Sequence, residues 1–358
     1  MISKIPPYHL RLNKAVDRFL LIDILRCFTK HELSHYLYAG LGGPFLEDFK
    51  LLDTFFPTLK KVSYETEPQV FIRQQFNRPS RLIHLFLGDL IQGIEEQQKR
   101  HNGPFVVWYD STSSFYDTFE GFMSLLGSVP NNSIIRVTTR LERFTPTNRS
   151  LIDSLTQSLK ARVQASGISM DEQQTLGDDI ERIVREQIEQ THPQRSELSR
   201  ISRFLPTDYL KIALGKNGMA KLIFGAFHQA ATEVFPPNSG HVFRLLNASQ
   251  YSDGTKMLSI TGALLSASEE KSFMRRFSKT SFATAAWTDD PMQIDMPILT
   301  PKERLHLNKR LPVINNPGER LIKRLGFSID PTPATCIHEM EMYNRFFRYY
   351  PVFAKVSL

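Results

Sequence analysis

The sequence predicts an α/β fold: a doubly wound, mostly parallel sheet closed by an antiparallel hairpin, with a helical insertion and a helical C-terminal region. Three observations carry this expectation. Strand-like and helix-like segments alternate five times between residues 35 and 140, the pattern of βα units laid into one sheet. Phe105-Val106-Val107-Trp108-Tyr109-Asp110 is a continuous apolar run ending in a carboxylate, as in a strand buried on both faces. Ser252-Asp253-Gly254 separates two strand-like runs, 241–251 and 255–265, and Asp-Gly between such runs signals a hairpin.

The 358 residues suffice for one large domain or two ordinary ones, and 41% hydrophobic with 23% charged residues is a globular composition. No apolar run is long enough to span a bilayer, and the N-terminus lacks a signal-peptide core. Cys27 and Cys336 are the only cysteines, which argues against a disulfide scaffold or a cysteine-rich metal site and fits a reducing cytoplasm. The net charge of +7 permits an acidic or nucleic-acid partner without requiring one.

Residues 10–29 read as a helix with apolar positions at Leu10, Val16, Phe19, Leu20, Ile22, Leu25 and Phe28. Asn13, Lys14, Asp17 and Arg18 fall near one polar side, more readily a solvated face than a substrate-facing one. A first strand near 35–39 leads into Gly40, Gly42 and Gly43, and a helix is expected from Pro44 to about residue 55. Strand, glycine turn and helix allow a backbone to approach a nucleotide, or make an ordinary tight turn. Lys60–Glu67 reads as the second strand, and Glu65 lies 23 residues after Gly42, where an acid can accept both ribose hydroxyls. Its plainer role is an exposed loop carboxylate.

A helix at about 68–77 leads to a third strand, Arg81–Asp89. Asp89 could meet an adenine amino group or equally cap the following helix at 91–101. Asp110 ends the fourth strand, where ligands of open α/β sheets bind, or caps the helix at about 115–127. A β-branched fifth strand follows at 131–140. Residues 145–200 are polar and helical, a surface insertion or an interaction arm. Amphipathic helix resumes at 205–235 with a break near residue 215. Thr300-Pro301-Lys302-Glu303 is a capping box that starts a helix over 299–311. Further helices are expected at about 317–326 and 338–349. From residue 300 onward ten Lys/Arg face five acids, with Phe346, Phe347, Tyr349 and Tyr350 among them. These aromatics either dock onto their own domain or, with the basic charge, stack on single-stranded nucleic acid.

This order of signals resembles the class I S-adenosylmethionine-dependent methyltransferases, with their Rossmann-like fold. Tyr38-Ala39-Gly40-Leu41-Gly42-Gly43 is similar to that family's glycine motif, Glu65 to its ribose-holding acid, Gly88-Asp89 to its acid near adenine, and Asp110 to its fourth-strand motif facing the donor and acceptor. The resemblance covers 30–140 well and 205–265 in part. It implies S-adenosylmethionine as cofactor, with Gly40, Gly42, Gly43, Glu65, Asp89 and Asp110 binding it, Asp110 in the catalytic position, and Asp48 and Tyr109 nearby. The sequence departs from the pattern at Tyr38, where an acid is usual, and has Asp-Ser-Thr-Ser in place of an Asn/Asp-Pro-Pro-aromatic motif, which speaks against base amino methylation. The chain also looks like methyltransferase-like proteins of phage-defence cassettes, some of them toxic effectors.

The expected organisation is therefore an N-terminal helix (1–30), a methyltransferase-like domain (31–265, interrupted by 145–200) and a basic C-terminal region (266–358). The expected function is methyl transfer to an unspecified acceptor. The alternative is a nucleotide-binding effector module whose output is binding to a nucleic-acid–protein complex, through the insertion or the basic C-terminal region. No membrane partner and no metal are expected.

Overall fold

The computed structural model describes residues 11–111, 115–141, 201–206, 218–277, 280 and 286–351. The insertion expected at 145–200 and residues 207–217 of the helix expected from 205 lie outside them; Leu205 and Pro206 are not helical. The sheet contains β1 (Leu37–Gly40), β2 (Lys60–Glu65), β3 (Ile83–Leu87), β4 (Phe105–Tyr109), β5 (Ile134–Arg140), β6 (His241–Ser252), β7 (Lys256–Ser266) and β8 (Met292–Ile294). Its order is β3-β2-β1-β4-β5-β7-β6-β8. Strands β1 to β5 are mutually parallel, and β7 runs antiparallel to both β5 and β6. The hairpin therefore inserts its second strand beside β5, which puts the β6–β7 turn at the same end of the sheet as the carboxyl ends of β1 to β5. This is the Rossmann-like, doubly wound arrangement that the sequence predicts.

Helices cover both faces. On one face α5 (Leu90–Gln98), α6 (Phe115–Ser128) and α7 (Gly218–Val234) pack over Ala39, Val62, Phe105, Val107, Ile135 and Val137. On the other, α1 (Leu12–Leu25) and α3 (Glu47–Phe55) pack over Tyr38, Val106, Trp108 and Ile134. Successive residues of β4 thus serve opposite cores, which is why that strand has no polar alternation. The short helices α2 (Lys30–Ser34), α4 (Pro68–Asn77) and α8 (Glu270–Arg275) complete the layers.

At the far edge, α9 (Pro301–Asn308), α10 (Pro317–Leu325) and α11 (Pro333–Phe346) gather Leu307, Leu321, Met340, Tyr343 and Phe346 against Val16 and Leu20 of α1. The capping box at Thr300 forms as expected: its Oγ1 accepts from Glu303 N–H at 3.3 Å and its N–H donates to Glu303 Oε2 at 2.6 Å. The C-terminal aromatics take the docking alternative. Phe346 and Tyr350 are buried, and the Tyr349 ring stacks on Phe19 at 4.7 Å. No helix of the described residues is long and apolar enough to cross a membrane.

Three local expectations are corrected. The helix after the glycine turn begins at Glu47 rather than Pro44, because Leu46 takes a left-handed conformation (φ 53°) that a helix cannot contain. Strand β8 was not foreseen; three residues paired in parallel at Ser249↔Met292 are too few for a periodic signal. The polar side of α1 is not solvated. Asn13, Lys14, Asp17 and Arg18 are each less than a tenth exposed.

The reason lies in the sheet, whose face under α1 is itself polar. Asp17 pairs with Arg136 and accepts from Ser249 Oγ at 3.0 Å and Ser259 Oγ at 3.2 Å. Arg136 also donates to Thr261 Oγ1 at 2.6 Å and to the Asp17 carbonyl at 3.1 Å, and lies over the Trp108 ring at 4.9 Å. Helix and sheet are complementary in charge at a place where both would otherwise be apolar. Removing one member of a buried pair leaves an uncompensated charge, so Asp17→Asn should lose about 3–5 kcal/mol of stability in denaturant unfolding. Combining it with Arg136→Met should recover part of that loss; an additive loss would show that the two residues act independently.

Candidate active site

At the carboxyl ends of β1, β2, β4 and β5 the helices diverge and leave a cleft of about 370 Å³. Its floor is the glycine turn, Leu41 to Phe45. Glu65 and Thr66 end β2 on one side, Asp110 and Ser111 follow β4 at the centre, and Arg140 ends β5. The far wall is Tyr251, Asp253, Thr255 and Met257 from the hairpin. Helix α1 closes the cleft with Arg11, Lys14 and Arg18.

The glycine turn is built for close approach. A Cβ on Gly42 would stand 2.4 Å from Leu46 Cδ2 and 2.6 Å from Ser63 Oγ, so only glycine fits. Its N–H donates to Ser63 Oγ at 3.2 Å, and that hydroxyl donates to the buried Gln74 Oε1 at 3.2 Å. Gly43 has φ +51°, the region glycine enters at no steric cost. Together they hold bare backbone towards the cleft.

The remaining expected site residues divide. Glu65 and Asp110 join Gly42 and Gly43 in the lining. Gly40 does not line the cleft; a Cβ there would meet Tyr38 Oη at 2.8 Å, so internal packing accounts for it. Asp89 serves its capping alternative: Oδ1 accepts from Ile91 N–H at 2.8 Å and Gln92 N–H at 3.1 Å, and it too is outside the lining. Tyr109 turns away against Gly121 of α6. Asp48 lies in the lining, paired with Arg18.

Sequence reasoning missed the contribution of α1. Lys14 Nζ is 2.9 Å from Asp110 Oδ2 and 3.7 Å from Asp17 Oδ2, and stands over the Trp108 ring at 4.7 Å and the Tyr251 ring at 5.7 Å. Burial alone would push this ammonium down, but Asp110, with Tyr251, Asp17 and Asp48, outweighs it and holds the pKa above the ordinary lysine range. Lys14 is therefore a fixed cation and not a base. Burial likewise pushes the Tyr251 phenol up, so it stays neutral.

The N-terminus of α1 is set by Asp253. Its Oδ1 accepts from Asn13 N–H at 3.2 Å and Oδ2 from Lys14 N–H at 2.8 Å. Burial raises the Asp253 carboxyl above its ordinary value, with those two N–H groups opposing. Asn13 adds a donation to the Ser252 carbonyl at 2.8 Å and accepts from Met296 N–H at 2.7 Å. The Asp-Gly turn carries the signal that could have found this: its aspartate caps a helix 240 residues away rather than only shaping the hairpin.

A family described as "Putative O-methyltransferase" matches residues 6–358. The chain belongs to this family. No curated protein matches it. Among solved structures, an O-methyltransferase family protein from Burkholderia thailandensis is 11% identical with a TM-score of 0.31, over 71% of this chain and 59% of its own. The chain thus spans under two thirds of that protein's length. The plantazolicin methyltransferase BpumL, solved with a desmethylPZN analog and SAH, is 12% identical with a TM-score of 0.32, over 70% of this chain and 85% of its own. The O-methyltransferase TomG from Streptomyces achromogenes, solved with SAM, is 10% identical with a TM-score of 0.34, over 73% and 92%. The family match covers nearly the whole chain.

The raised Lys14 pKa sets an alkaline limit on stability. The folded state keeps this proton where the unfolded chain releases it, near the ordinary value of 10.5. The stabilisation is complete below that pH and is lost as pH rises further, with a slope of up to about 1.4 kcal/mol per pH unit. Unfolding free energies measured above pH 10 should fall more steeply in the native chain than in Lys14→Met, by up to about 1.4 kcal/mol per pH unit, because the buried tyrosines, Tyr251 among them, give both chains an alkaline slope of their own. Equal slopes would remove the ion pair from the account.

Proposed function

We propose that this chain transfers a methyl group from S-adenosylmethionine to an oxygen acceptor in the cleft described above. One observation carries the proposal: the glycine turn after β1, the acid after β2 and the acid after β4 meet in one cleft at the carboxyl end of a sheet with a reversed seventh strand. The lining fits the donor by its chemistry. Gly42 and Gly43 offer backbone free of side chains. Glu65 offers a carboxylate for vicinal hydroxyls, with Oε1 held by Glu67 N–H at 3.0 Å. Asp110 offers negative charge beside the place where a cationic sulfonium would be received.

When bound, the donor supplies an electrophilic methyl group, which passes from sulfur to the acceptor oxygen in one in-line displacement. The chain's own part is positioning and desolvation. Lys14 clamps Asp110 by its ion pair, so the carboxylate presents a fixed direction to the cleft. Asp110 orients the reacting groups and can take the hydroxyl proton as the new O–C bond forms. Lys14 and Arg18 remain cationic and pair with Asp110 and Asp48. The acceptor side is bounded by Tyr251, Thr255, Met257 and Arg140.

Calorimetric titration with S-adenosylmethionine and S-adenosylhomocysteine tests this directly. Micromolar binding is expected in the native chain. Glu65→Ala should weaken it about ten- to a hundredfold, the loss of charge-assisted hydrogen bonds worth about 1.5–3 kcal/mol. Absence of binding in protein shown by mass spectrometry to hold no retained ligand would overturn the proposal. Salt-dependent binding of nucleic acid in its place would favour the effector alternative.

A further inference from the structure

Among the described residues nine large apolar side chains are exposed; four, Ile298, Leu305, Ile314 and Phe327, belong to the C-terminal region, and the other five gather in one place. Ile72 and Phe76 of α4, and Leu82, Phe86 and Leu87 at β3, are 54%, 90%, 61%, 41% and 53% exposed. All five lie on or beside one edge of the sheet, because β3 is the terminal strand of the order. Edge strands are normally blunted by proline, lysine, a bulge or a covering element. Residues 82–88, Leu-Ile-His-Leu-Phe-Leu-Gly, contain neither proline nor lysine.

The hydrogen-bond pattern states which backbone groups this edge presents. Gly88 N–H donates to the Glu65 carbonyl at 2.9 Å, within a parallel register that pairs Glu65 with Leu87. The even-numbered residues of β3 therefore bond to β2, and the alternation of the strand turns the N–H and C=O groups of Leu85 and Leu87 outward. Ile83 also turns outward, its N–H donating to the Ser80 carbonyl at 3.2 Å and its carbonyl facing away. Two outward N–H groups and three outward carbonyls form a template for one more strand.

The sequence around this template complements itself. In an antiparallel pairing of two copies centred on Leu85, Leu85 faces Leu85 of the second copy, Leu87 faces Ile83, and Arg81 faces Asp89. The centre is dictated by the outward residues, since Leu85 opposite itself is a hydrogen-bonded pair. Four backbone hydrogen bonds result, two between the Leu85 residues and one from each Leu87 N–H to Ile83 C=O. Arg81 is exposed, and both cap bonds of Asp89 run to its Oδ1, which leaves Oδ2 for an arginine. Opposite charge at both ends and apolar residues between them fix direction and register together. A two-fold contact of this kind is isologous and closed.

We propose that two copies of this chain associate through β3, joining their sheets into one continuous sheet across a two-fold axis. The contact lies on the β3 side of the sheet, clear of the hairpin wall of the cleft. It covers the apolar side chains of α4 and β3, and it does not depend on the reading of the cleft.

Sedimentation equilibrium of the full chain tests the association, and cysteine cross-linking tests the register. The native chain should sediment at twice its 41.2 kDa mass at micromolar concentration. Leu87→Lys, at a half-exposed position, should return it to the monomer with an unchanged circular dichroism spectrum. In the proposed pairing the two residues at position 85 lie about 5.5 Å apart between Cα atoms, within disulfide reach. Positions 87 of the two copies are four residues out of register, roughly 14 Å apart at about 3.4 Å per residue. Under mild oxidation Leu85→Cys should cross-link to a dimer and Leu87→Cys should not. A native chain that stays monomeric to 100 µM, a dimer that survives Leu87→Lys, or a dimer in which Leu87→Cys cross-links as well as Leu85→Cys would each overturn the proposal.

Discussion

The structure depends on one buried interaction, the pair between Asp17 of α1 and Arg136 of β5. Both side chains are fully withdrawn from water. Taking two charges out of water costs more than their attraction returns unless the remaining donors and acceptors are matched. Here they are largely matched by side chains from the sheet: Ser249, Ser259 and Thr261 on β6 and β7, with Thr138 linking Trp108 Nε1 at 3.0 Å to Ser259 Oγ at 3.0 Å. An apolar helix could slide or rotate on this face. A helix carrying Asp17 can meet Arg136 in only one register, and that register decides what its neighbouring turns do.

One turn before Asp17, Lys14 arrives beside Asp110; one residue after it, Arg18 arrives beside Asp48. The end of β4 and the start of α3 are thereby both tied to α1. Asp253 closes the arrangement by capping α1 from the hairpin turn. The cleft is thus assembled from six separate parts of the chain, with the Lys14–Asp110 and Arg18–Asp48 pairs in its lining and the Asp17–Arg136 pair beneath it. This gives a physical reason for the fixed protonation of its cations: Lys14 faces Asp110 and Arg18 faces Asp48, each outweighing the cost of burial. The chemistry available at the centre is carboxylate chemistry in a positioned, partly dehydrated setting, which suits a displacement that needs alignment more than it needs a strong base.

Much of the sheet was legible because its signals are local. The unbroken apolar run of β4, the Asp-Gly turn of the hairpin and the capping box at Thr300 each follow from residues a few positions apart. Glu65, Asp110 and the two glycines Gly42 and Gly43 were legible as lining for the same reason, since each lies at a strand end. Asp89 and Gly40 sit at equivalent strand ends, yet their geometry serves a helix cap and the space under Tyr38. The burial of α1 was not legible. Its polar stripe has the periodicity of a solvated face, and the residues that make it an internal one, Arg136, Ser249 and Ser259, lie 119 to 242 positions away. Nothing in a helical pattern distinguishes charges that meet water from charges that meet a polar sheet.

The most direct test of the account is a crystal structure of the chain with S-adenosylhomocysteine bound. The account predicts ligand density along Gly42 and Gly43, its ribose hydroxyls on Glu65, and the Lys14–Asp110 and Asp17–Arg136 pairs intact beneath it. Density elsewhere on the molecule, or a cleft in which α1 has left Asp110 to admit the ligand, would contradict it.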